Sequence, residues 1–417
     1  MSPHRQDTRR GAHLGEFGHI LRQHRRSAGL GLRPFAARVS YEYGYIAQVE
    51  RGEKRGSPEF AAACDRVLDT GGALLAAYER DQGGTEMRRR TALRAMGAIV
   101  AAPVVPEAGL EAVRHGLDAV VDADHDEWPG IVADCGLGYY RQPHDVLMRQ
   151  LGTDLAVLQH LIAVESDARR PRLLAAAGHL SVVVALGLVA SGQSLVARRW
   201  WRSAQRVADE SGDLDAILTT RAWHVVNGCY DGRPAEQVVA LSDEVLPLLD
   251  GARVSAASCG LLAGRAQALS LAGRHAEAVA CVRQLDDLAH RLPDAIVDNV
   301  ESLWGWPEHR LRHTQSWVYT HAGDLRAAEA AQDRALQLYP QSQARLRAQV
   351  GLHRAAALIR GGHLPDGLRL AAELLDGLPP EQHNATLRSV ARRVAEAVPV
   401  SQRHRPAYGE LIARVAG

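Results

Sequence analysis

Glycines recur at a near-constant interval through the C-terminal part of this 417-residue chain. They lie at Gly192, Gly232, Gly273, Gly323 and Gly362, and each separates two segments of helix length. A period of about 20–50 residues is typical of arrays that stack one supersecondary unit. Alanine and leucine abound and alternating β-branched residues are scarce, so the sequence predicts an all-α protein in which helix pairs form an α-solenoid.

Such a solenoid carries a concave face lined by the first helix of each pair. Counting back from each glycine predicts these inward-facing residues: Trp223, Gln267, Arg310, His313, Trp317 and Thr320. A cation, an imidazole and an indole on a concave surface suit an anionic or peptide ligand, so we expect an effector groove here. Two alternatives stay open, since Trp and Arg stacked between neighbouring repeats would give the same pattern, and a pure dimerisation scaffold needs no ligand.

The repeat spacing and the histidines add three smaller expectations. Gly273 and Gly323 are 50 residues apart, which predicts an insertion around 291–306. His309 and His313 lie four apart on a helix, but without a third ligand we expect packed or solvated histidines and no metal. The Trp200-Trp201 pair and the tryptophans of the WGWP stretch are expected to be core anchors.

Helical patterns also precede the array. A helix from Phe17 is expected to carry Phe17, Ile20, Leu21 and Ala28 on one apolar face and Arg22, Arg25 and Arg26 outside, and to end at Gly29. A short helix follows from Leu32, a tight connection surrounds Ser40 and Tyr41, and a third helix runs from Tyr43 to about Arg51. In this geometry the third helix enters the major groove of duplex DNA.

The segment AGLGLRPFAARVSYEYGYIAQVERG resembles the helix-turn-helix family of phage repressors and Cro. Ala36, Tyr41, Ile46, Val49 and the closing Glu50-Arg51-Gly52 fall where that family has them. The resemblance implies base contacts from Tyr43, Gly44, Tyr45 and Gln48, and phosphate contacts from Arg33, Arg51, Lys54 and Arg55. Gln48 is the best base reader, because its amide can bond adenine bidentately.

Two residues depart from the family pattern. Glu42 stands at the N-cap of the third helix, where Ser or Thr caps better, and its charge would lie near phosphates. Gly44 offers no side chain to a base. A weak DNA-binding domain, or a helical bundle used for dimerisation alone, therefore stays open.

Almost the whole chain resembles actinobacterial XRE-like regulators that join this DNA-binding domain to tetratricopeptide-like repeats. The stretches that carry the likeness are RRRTALRAMGAIVAAP, RRWWRSAQRVADESGDLDA and GWPEHRLRHT. We expect a flexible N-terminus (1–15), a five-helix helix-turn-helix domain (16–82), a linker helix (83–108), the repeat array (109–400) and a C-terminal capping helix (401–417).

Charge and motifs bound the function. Residues 1–90 carry 16 Arg and Lys against 11 Asp and Glu, or +5, and the rest carry 33 against 37, or −4, as expected of a nucleic-acid-binding domain fused to another. The sequence has no GxSxG, P-loop or GxGxxG after a strand, so we expect neither an enzyme nor a cofactor. The five cysteines show no disulfide or zinc spacing, so we expect buried thiols in the cytoplasm. No apolar run is long enough to span a bilayer, so we expect no membrane contact.

These features predict a sequence-specific transcriptional regulator that binds double-stranded DNA. A homodimer would read a roughly palindromic operator, and the repeats would sense a peptide or small-molecule effector, mediate dimerisation, or both. The alternative is a protein-interaction adaptor whose repeats bind a partner protein and whose DNA-binding domain is weak or vestigial.

Overall fold

The computed structural model describes residues 16–54, 56–78, 114, 126–164, 169–250 and 253–416. Its regular structure is helical, and the described residues form no strand, so the all-α prediction is confirmed. The chain divides into two compact units, residues 1–104 and 105–417. The predicted flexible N-terminus (1–15), the predicted linker helix (83–108) and Arg55 lie outside the described residues.

The described residues of the first unit form five helical segments: α1 (Glu16–Ser27), α2 (Leu32–Val39), α3 (Tyr43–Glu50), α4 (Pro58–Leu68) and α5 (73–78). Local sequence sets their ends. Gly29 follows α1 in the left-handed region, at φ +70°. Ser57 caps α4, because its Oγ accepts a hydrogen bond from the Phe60 N–H at 3.1 Å.

One apolar cluster holds these helices together. The cluster includes these large side chains, each at most 3% exposed: Phe17, Leu21, Phe35, Ile46, Phe60 and Leu74. The α1 and α3 backbones meet at Gly18, where an added Cβ would lie 2.1 Å from the Val49 carbonyl oxygen. Any larger residue at position 18 would therefore prevent α1 from packing this closely against α3.

A buried ion pair fixes the end of α3. Arg25 donates from Nε and from its terminal nitrogen to the two Glu50 oxygens at 2.6 and 2.7 Å, and both residues are buried. Arg25 also donates to the Leu30 carbonyl at 2.6 Å, and the Glu50 hydrogen bond raises the pKa of Arg25. The prediction that Arg25 lies outside is wrong, because its acceptors are on α3 and in the turn after α1. Ala28, predicted on the apolar face, is exposed instead.

We predict that Glu50→Ala lowers the free energy of unfolding of the first unit by about 3–5 kcal/mol, because Arg25 is left buried without its partner. The double variant Arg25→Met, Glu50→Leu should restore most of that loss, since apolar side chains of similar volume need no ion partner. Hydrogen exchange of the α1 and α3 amides measures both effects. Glu53→Ala breaks an exposed Arg–Glu pair and is the matched control that should leave exchange unchanged. Equal exchange in the two Glu variants would contradict the role of the buried pair.

The described residues of the second unit form fifteen α-helices, among them one of a single turn, and four short 3-10 helices. The α-helices are α6 (Trp128–Arg141), α7 (His144–Val164), α8 (Arg170–Ala190), α9 (Ser194–Ser211), α10 (Leu214–Gly228), α11 (Ala235–Val245), α12 (Ala256–Leu271), α13 (His275–Ala289), α14 (Asp294–Val297), α15 (Glu308–Ala322), α16 (Leu325–Leu338), α17 (Ala344–Arg360), α18 (Leu364–Asp376), α19 (Ala385–Ala397) and α20 (Pro406–Ala416).

Helices α8 to α13 and α15 to α20 form six consecutive pairs. All five predicted turn glycines lie between the helices of a pair, with φ between +75° and +89°. The first helices of successive pairs contact one another in chain order, and α19 returns to contact α8. The solenoid thus curves into a closed ring of six first helices, namely α8, α10, α12, α15, α17 and α19, with the second helices behind them.

Small residues allow this curvature. An added Cβ at Gly264 on α12 would lie 2.8 Å from the Val226 backbone nitrogen on α10. At Gly260 on α12 an added Cβ would lie 3.8 Å from the Cβ of buried Ala222 on α10. The backbones of α10 and α12 therefore touch.

Helix α8 corrects one expectation from sequence. Its 21 residues are long and apolar enough to cross a membrane, so the statement that no apolar run reaches that length is wrong. However, 78% of its most apolar window is buried inside the unit. In the ring, α8 is covered by α7, α9 and α10.

The predicted insertion lies between α13 and α15 as an irregular segment with the single-turn helix α14. It holds α6 against the ring. The Trp304 indole N–H donates to the Val132 carbonyl at 2.7 Å, and the Leu303 N–H to the Gly136 carbonyl at 2.9 Å. An added Cβ at Gly136 would lie 2.3 Å from the Trp304 ring, so α6 and the insertion are in tight contact.

The cysteines are core residues, as predicted. Cys64, Cys135, Cys229, Cys259 and Cys281 are all free and buried. Burial raises the pKa of the Cys135 thiol to about 12, and the others shift in the same direction. None of these thiols carries the thiolate that reactive cysteines need.

Candidate nucleic-acid interface and ring cavity

The turn between α2 and α3 is built by Ser40 and Tyr41. Ser40 adopts the left-handed conformation, with φ 58° and ψ 39°, and the Tyr41 N–H closes the turn on the Ala36 carbonyl at 3.2 Å. The Tyr41 ring then stacks on Tyr45 at 5.7 Å and meets Phe60 edge-on at 4.9 Å. The turn is therefore anchored in the aromatic core, which fixes the direction in which α3 leaves α2.

Three of the four predicted base-contacting residues lie on the exposed side of α3. Tyr43 is 50% exposed, and Gly44 and Gln48, four residues apart on one helix face, are exposed as well. Arg33 on α2 lies over the Tyr43 ring at 5.4 Å. These residues form an exposed surface of α2 and α3, which we call the α3 surface.

Tyr45 lies elsewhere. It is partly buried, its ring meets Phe60 at 5.1 Å, and burial raises the pKa of its hydroxyl. One residue corresponds to about 100° around a helix, which turns position 45 toward the core side of Gly44. The structure thus places Tyr45 in the packing beneath the α3 surface. The Lys54 ammonium lies over its ring at 5.1 Å.

The residues predicted to contact phosphates differ in whether they already form an ion pair within the protein. Arg33 and Lys54 are exposed and form no described ion pair. Arg51 donates two hydrogen bonds to Glu53, at 2.7 and 2.8 Å, and this carboxylate offsets its charge. Glu42 is at the N-cap of α3, as expected, and its side chain makes no capping hydrogen bond.

The ring of first helices in the second unit encloses a cavity of about 450 Å³ together with α6. We call it the ring cavity. Residues from α6, the insertion and all six first helices line it. Four predicted groove residues, Trp223, Gln267, Arg310 and His313, are among them.

Trp317 and Thr320 do not line the ring cavity. Trp317 is 1% exposed and packs against Tyr230, His321 and His353, while Thr320 accepts a hydrogen bond from the Gln332 amide at 3.2 Å. Seven residues move a position about 10.5 Å along a helix. The stripe predicted on α15 therefore leaves the cavity after its first turn and enters the packing between helices.

Arg310 holds the insertion in place. Its terminal nitrogens donate to the carbonyls of Ser302, Leu303 and Gly305 and to the Tyr140 hydroxyl, at 2.7–3.1 Å. Its guanidinium also lies 5.8 Å from the centre of the Trp223 ring. With these partners, Arg310 offers few free donors to a carboxylate.

Sequence reasoning missed Arg345 and the α6 tyrosines. Arg345 on α17 lines the cavity, is partly buried, and finds no hydrogen-bond acceptor or acidic partner among the described residues. Tyr139 and Tyr140 of α6 line the cavity as well, and the Arg345 charge acts on the Tyr139 hydroxyl. No repeat signal points to them, because α6 stands outside the helix pairs, and α17 carries several arginines that look alike in sequence.

The histidines near the cavity are packed, not solvated. His309 stacks on Tyr339 with ring centres 4.2 Å apart, and the Tyr339 hydroxyl hydrogen-bonds His313 Nδ1 at 3.0 Å. Burial lowers the pKa of His309 to about 3 and that of His313 to about 4, so both are neutral near pH 7. Among the described residues, no group of three His, Cys, Asp or Glu is placed to hold a metal.

The first unit has the architecture of a helix-turn-helix DNA-binding domain: a short α2, a tight turn, and an α3 whose outer side is free. Residues 16–78 match the family model described as a helix-turn-helix domain, which supports DNA-binding regulation of the XRE type by this part of the chain. No curated protein and no solved structure matches the chain.

We predict that Glu42→Ser stabilises the first unit by about 1 kcal/mol, because serine can cap α3 and glutamate does not. Glu42→Gln removes the charge without adding a cap and is the matched control. Hydrogen exchange of the first α3 amides should slow for Ser and stay unchanged for Gln. Equal protection in the two variants would show that capping is not limiting at this site.

We also predict that the second unit loses stability as the pH falls below about 6.5. Burial lowers the folded-state pKa of His224 to about 3, as for His309, and that of His313 to about 4. The unfolded chain takes up protons near pH 6.5 and the folded unit does not. Above pH 6.5 these histidines are neutral in both states and cost no stability. As the pH falls from 6.5 toward the folded-state pKa, each one lowers the free energy of unfolding by about 1.4 kcal/mol per pH unit.

Urea unfolding between pH 7 and 5 measures this, followed by fluorescence of the seven tryptophans, all of which lie after residue 127. His309→Phe should make the pH dependence shallower, whereas the exposed control His290→Gln should not. A flat profile in the wild-type chain would contradict the burial of neutral imidazoles.

Proposed function

We propose that this protein is a sequence-specific transcriptional regulator that binds duplex DNA through the α3 surface. The observation that carries the proposal is the exposed side of α3, with Gln48 and Tyr43 free, held by a core-anchored turn. The helix-turn-helix match over residues 16–78 supports the same function. Gln48 would read a base, and Tyr43 and the Gly44 backbone would approach the groove.

Phosphate contacts come from Arg33, Lys54 and Arg55 in this proposal, with Arg51 after release from Glu53. The excess of five positive charges in residues 1–90 favours DNA. Tyr45 acts indirectly, by fixing α3 on its core. A homodimer in the cytoplasm would place two α3 helices in successive major grooves about 34 Å apart, on a roughly palindromic operator.

We further propose that the second unit, whose helix pairs are tetratricopeptide-like, senses an effector in the ring cavity. Helix α6 is one wall of this cavity, and it is the first long described helix after the connection to the DNA-binding unit. An effector that favours one position of α6 shifts the population of dimer geometries, and a difference in affinity is all that this requires.

Selection from random duplex DNA at near-physiological salt tests sequence-specific binding. The full chain should enrich a site with two related half-sites, which then shifts in a gel far better than random DNA. A chain that binds every duplex equally would overturn sequence-specific regulation.

We predict that Gln48→Ala costs about 1–3 kcal/mol of DNA-binding free energy and relaxes preference at one base pair in each half-site, because one bidentate contact is lost. Titration of the selected site and its single-base variants measures both effects. Gln23→Ala makes the same chemical change at an exposed position of α1 and is the control. A uniform loss over all sequences would assign Gln48 to backbone contacts instead.

The adaptor function is the second candidate. Uncapped Glu42, Gly44 without a side chain, and Arg51 paired to Glu53 all weaken the α3 surface as a DNA reader. An adaptor would leave every duplex unshifted and would return a defined partner protein by affinity capture with the full chain. Enrichment of a DNA site excludes it.

A further inference from the structure

We propose that the ring cavity binds a flat aromatic carboxylate, with the carboxylate on Arg345 and the rings between aromatic side chains. The proposal rests on the placement of an unpaired guanidinium and several aromatic side chains around one partly open cavity. The proposal deepens the effector function given above and rests on it for the biological use of the ligand, whereas the binding itself follows from the cavity.

The dimensions favour a small molecule over a peptide. Pockets for drug-sized molecules measure about 300–1,000 Å³, and the ring cavity at about 450 Å³ lies in this range. An extended peptide needs a continuous groove of about 3.3 Å per residue. The ring cavity is partly open, but the ring closes at the contact between α19 and α8, which limits how far the cavity extends.

The walls are rich in aromatic faces. Tyr139 and Tyr140 come from α6, Trp223 from α10, Trp304 and Trp306 from the insertion, and Tyr339 from the end of α16. Aromatic pairs prefer offset-stacked or edge-to-face contacts, which a flat ring system can make with several of these side chains at once. The indole N–H of Trp306 has no acceptor among the described residues.

The charges favour an anion. Arg345 finds no acceptor among the described residues, although it is partly buried. The other lining arginine, Arg310, is already bonded to carbonyls and to Tyr140. Asp215 is the one carboxylate among the described lining residues, and it lies 3.5 Å from His179 Nε2.

A carboxylate is the partner that this arrangement lacks. It accepts two parallel hydrogen bonds from a guanidinium, and the interaction gains strength as water is excluded. A neutral or cationic ligand of the same shape would bury Arg345 without a partner, which costs binding energy. The cavity is therefore expected to select its ligand by negative charge as well as by a flat shape.

Calorimetric titration of the full chain with three probe acids of increasing size, benzoate, 2-naphthoate and 9-anthracenecarboxylate, tests the proposal. We expect at least one to bind with a Kd below about 1 mM. For 2-naphthoate, the matched probes are neutral 2-naphthamide and non-aromatic decahydro-2-naphthoate, and both should bind about tenfold more weakly or worse.

Arg345→Gln should weaken the acids by about tenfold or more and leave the amide unchanged. Arg326→Gln is the matched control, because Arg326 is exposed on α16 and does not line the cavity. An unchanged tryptophan emission spectrum checks that each variant is folded. Absence of binding by all three acids, or equal affinity in the Arg345 and Arg326 variants, would overturn the proposal.

The same protein samples, assayed on the selected DNA site, separate this proposal from the proposed function. DNA binding without acid binding refutes the ligand class alone. Acid binding without sequence-specific DNA binding refutes the regulator and leaves the cavity assignment in place.

Discussion

The second unit depends on the return of α19 to α8, because this contact turns a curved row of helices into a ring. Two small residues meet beside this contact: an added Cβ at Gly192, in the turn after α8, would lie 3.8 Å from the Cβ of Ala385 at the start of α19. An open solenoid exposes its terminal helices and needs polar caps. With the ring closed, each first helix has neighbours on both sides and its own partner behind, so α15 buries His309 and His313 as fully as Leu311.

This burial imposes a demand on the polar groups inside. A buried polar atom without a partner costs free energy, and most in the ring interior are paired: His313 with Tyr339, and Ser316 with His353 at 3.0 Å. Other buried atoms find no partner among the described residues, among them the indole N–H groups of Trp201, Trp306 and Trp317 and Nε2 of His353. Of these, only Trp306 lines the ring cavity. Arg345 is partly buried beside the same cavity and also finds no acceptor among the described residues.

Sequence periodicity was sufficient for the helices and their turns, because glycine at positive φ and apolar spacing are local properties. It predicted α1 to α3, the five turn glycines and the insertion. Sequence periodicity failed where a residue distant in sequence determines whether a side chain is buried. Arg25 is buried because Glu50 approaches it, and Tyr45 turns inward to Phe60. The same holds for Trp317, whose neighbours Tyr230 and His353 come from the turn after α10 and from α17, respectively. Ring closure, which defines the cavity, depends on summed small rotations that no single repeat reveals.

Helix α6 connects the ring cavity to the core of the second unit. It packs on α7 and α8, and its Trp128 and Cys135 are buried in the same apolar cluster as the core of α8. The insertion adds the hydrogen bonds of Trp304 and Leu303 and the tight fit of Trp304 on Gly136. In the regulator proposed above, an occupant beside Tyr139 would contact α6 directly. Coupling free energies are reciprocal, so if DNA favoured one position of α6, it would change affinity in the cavity by the same factor.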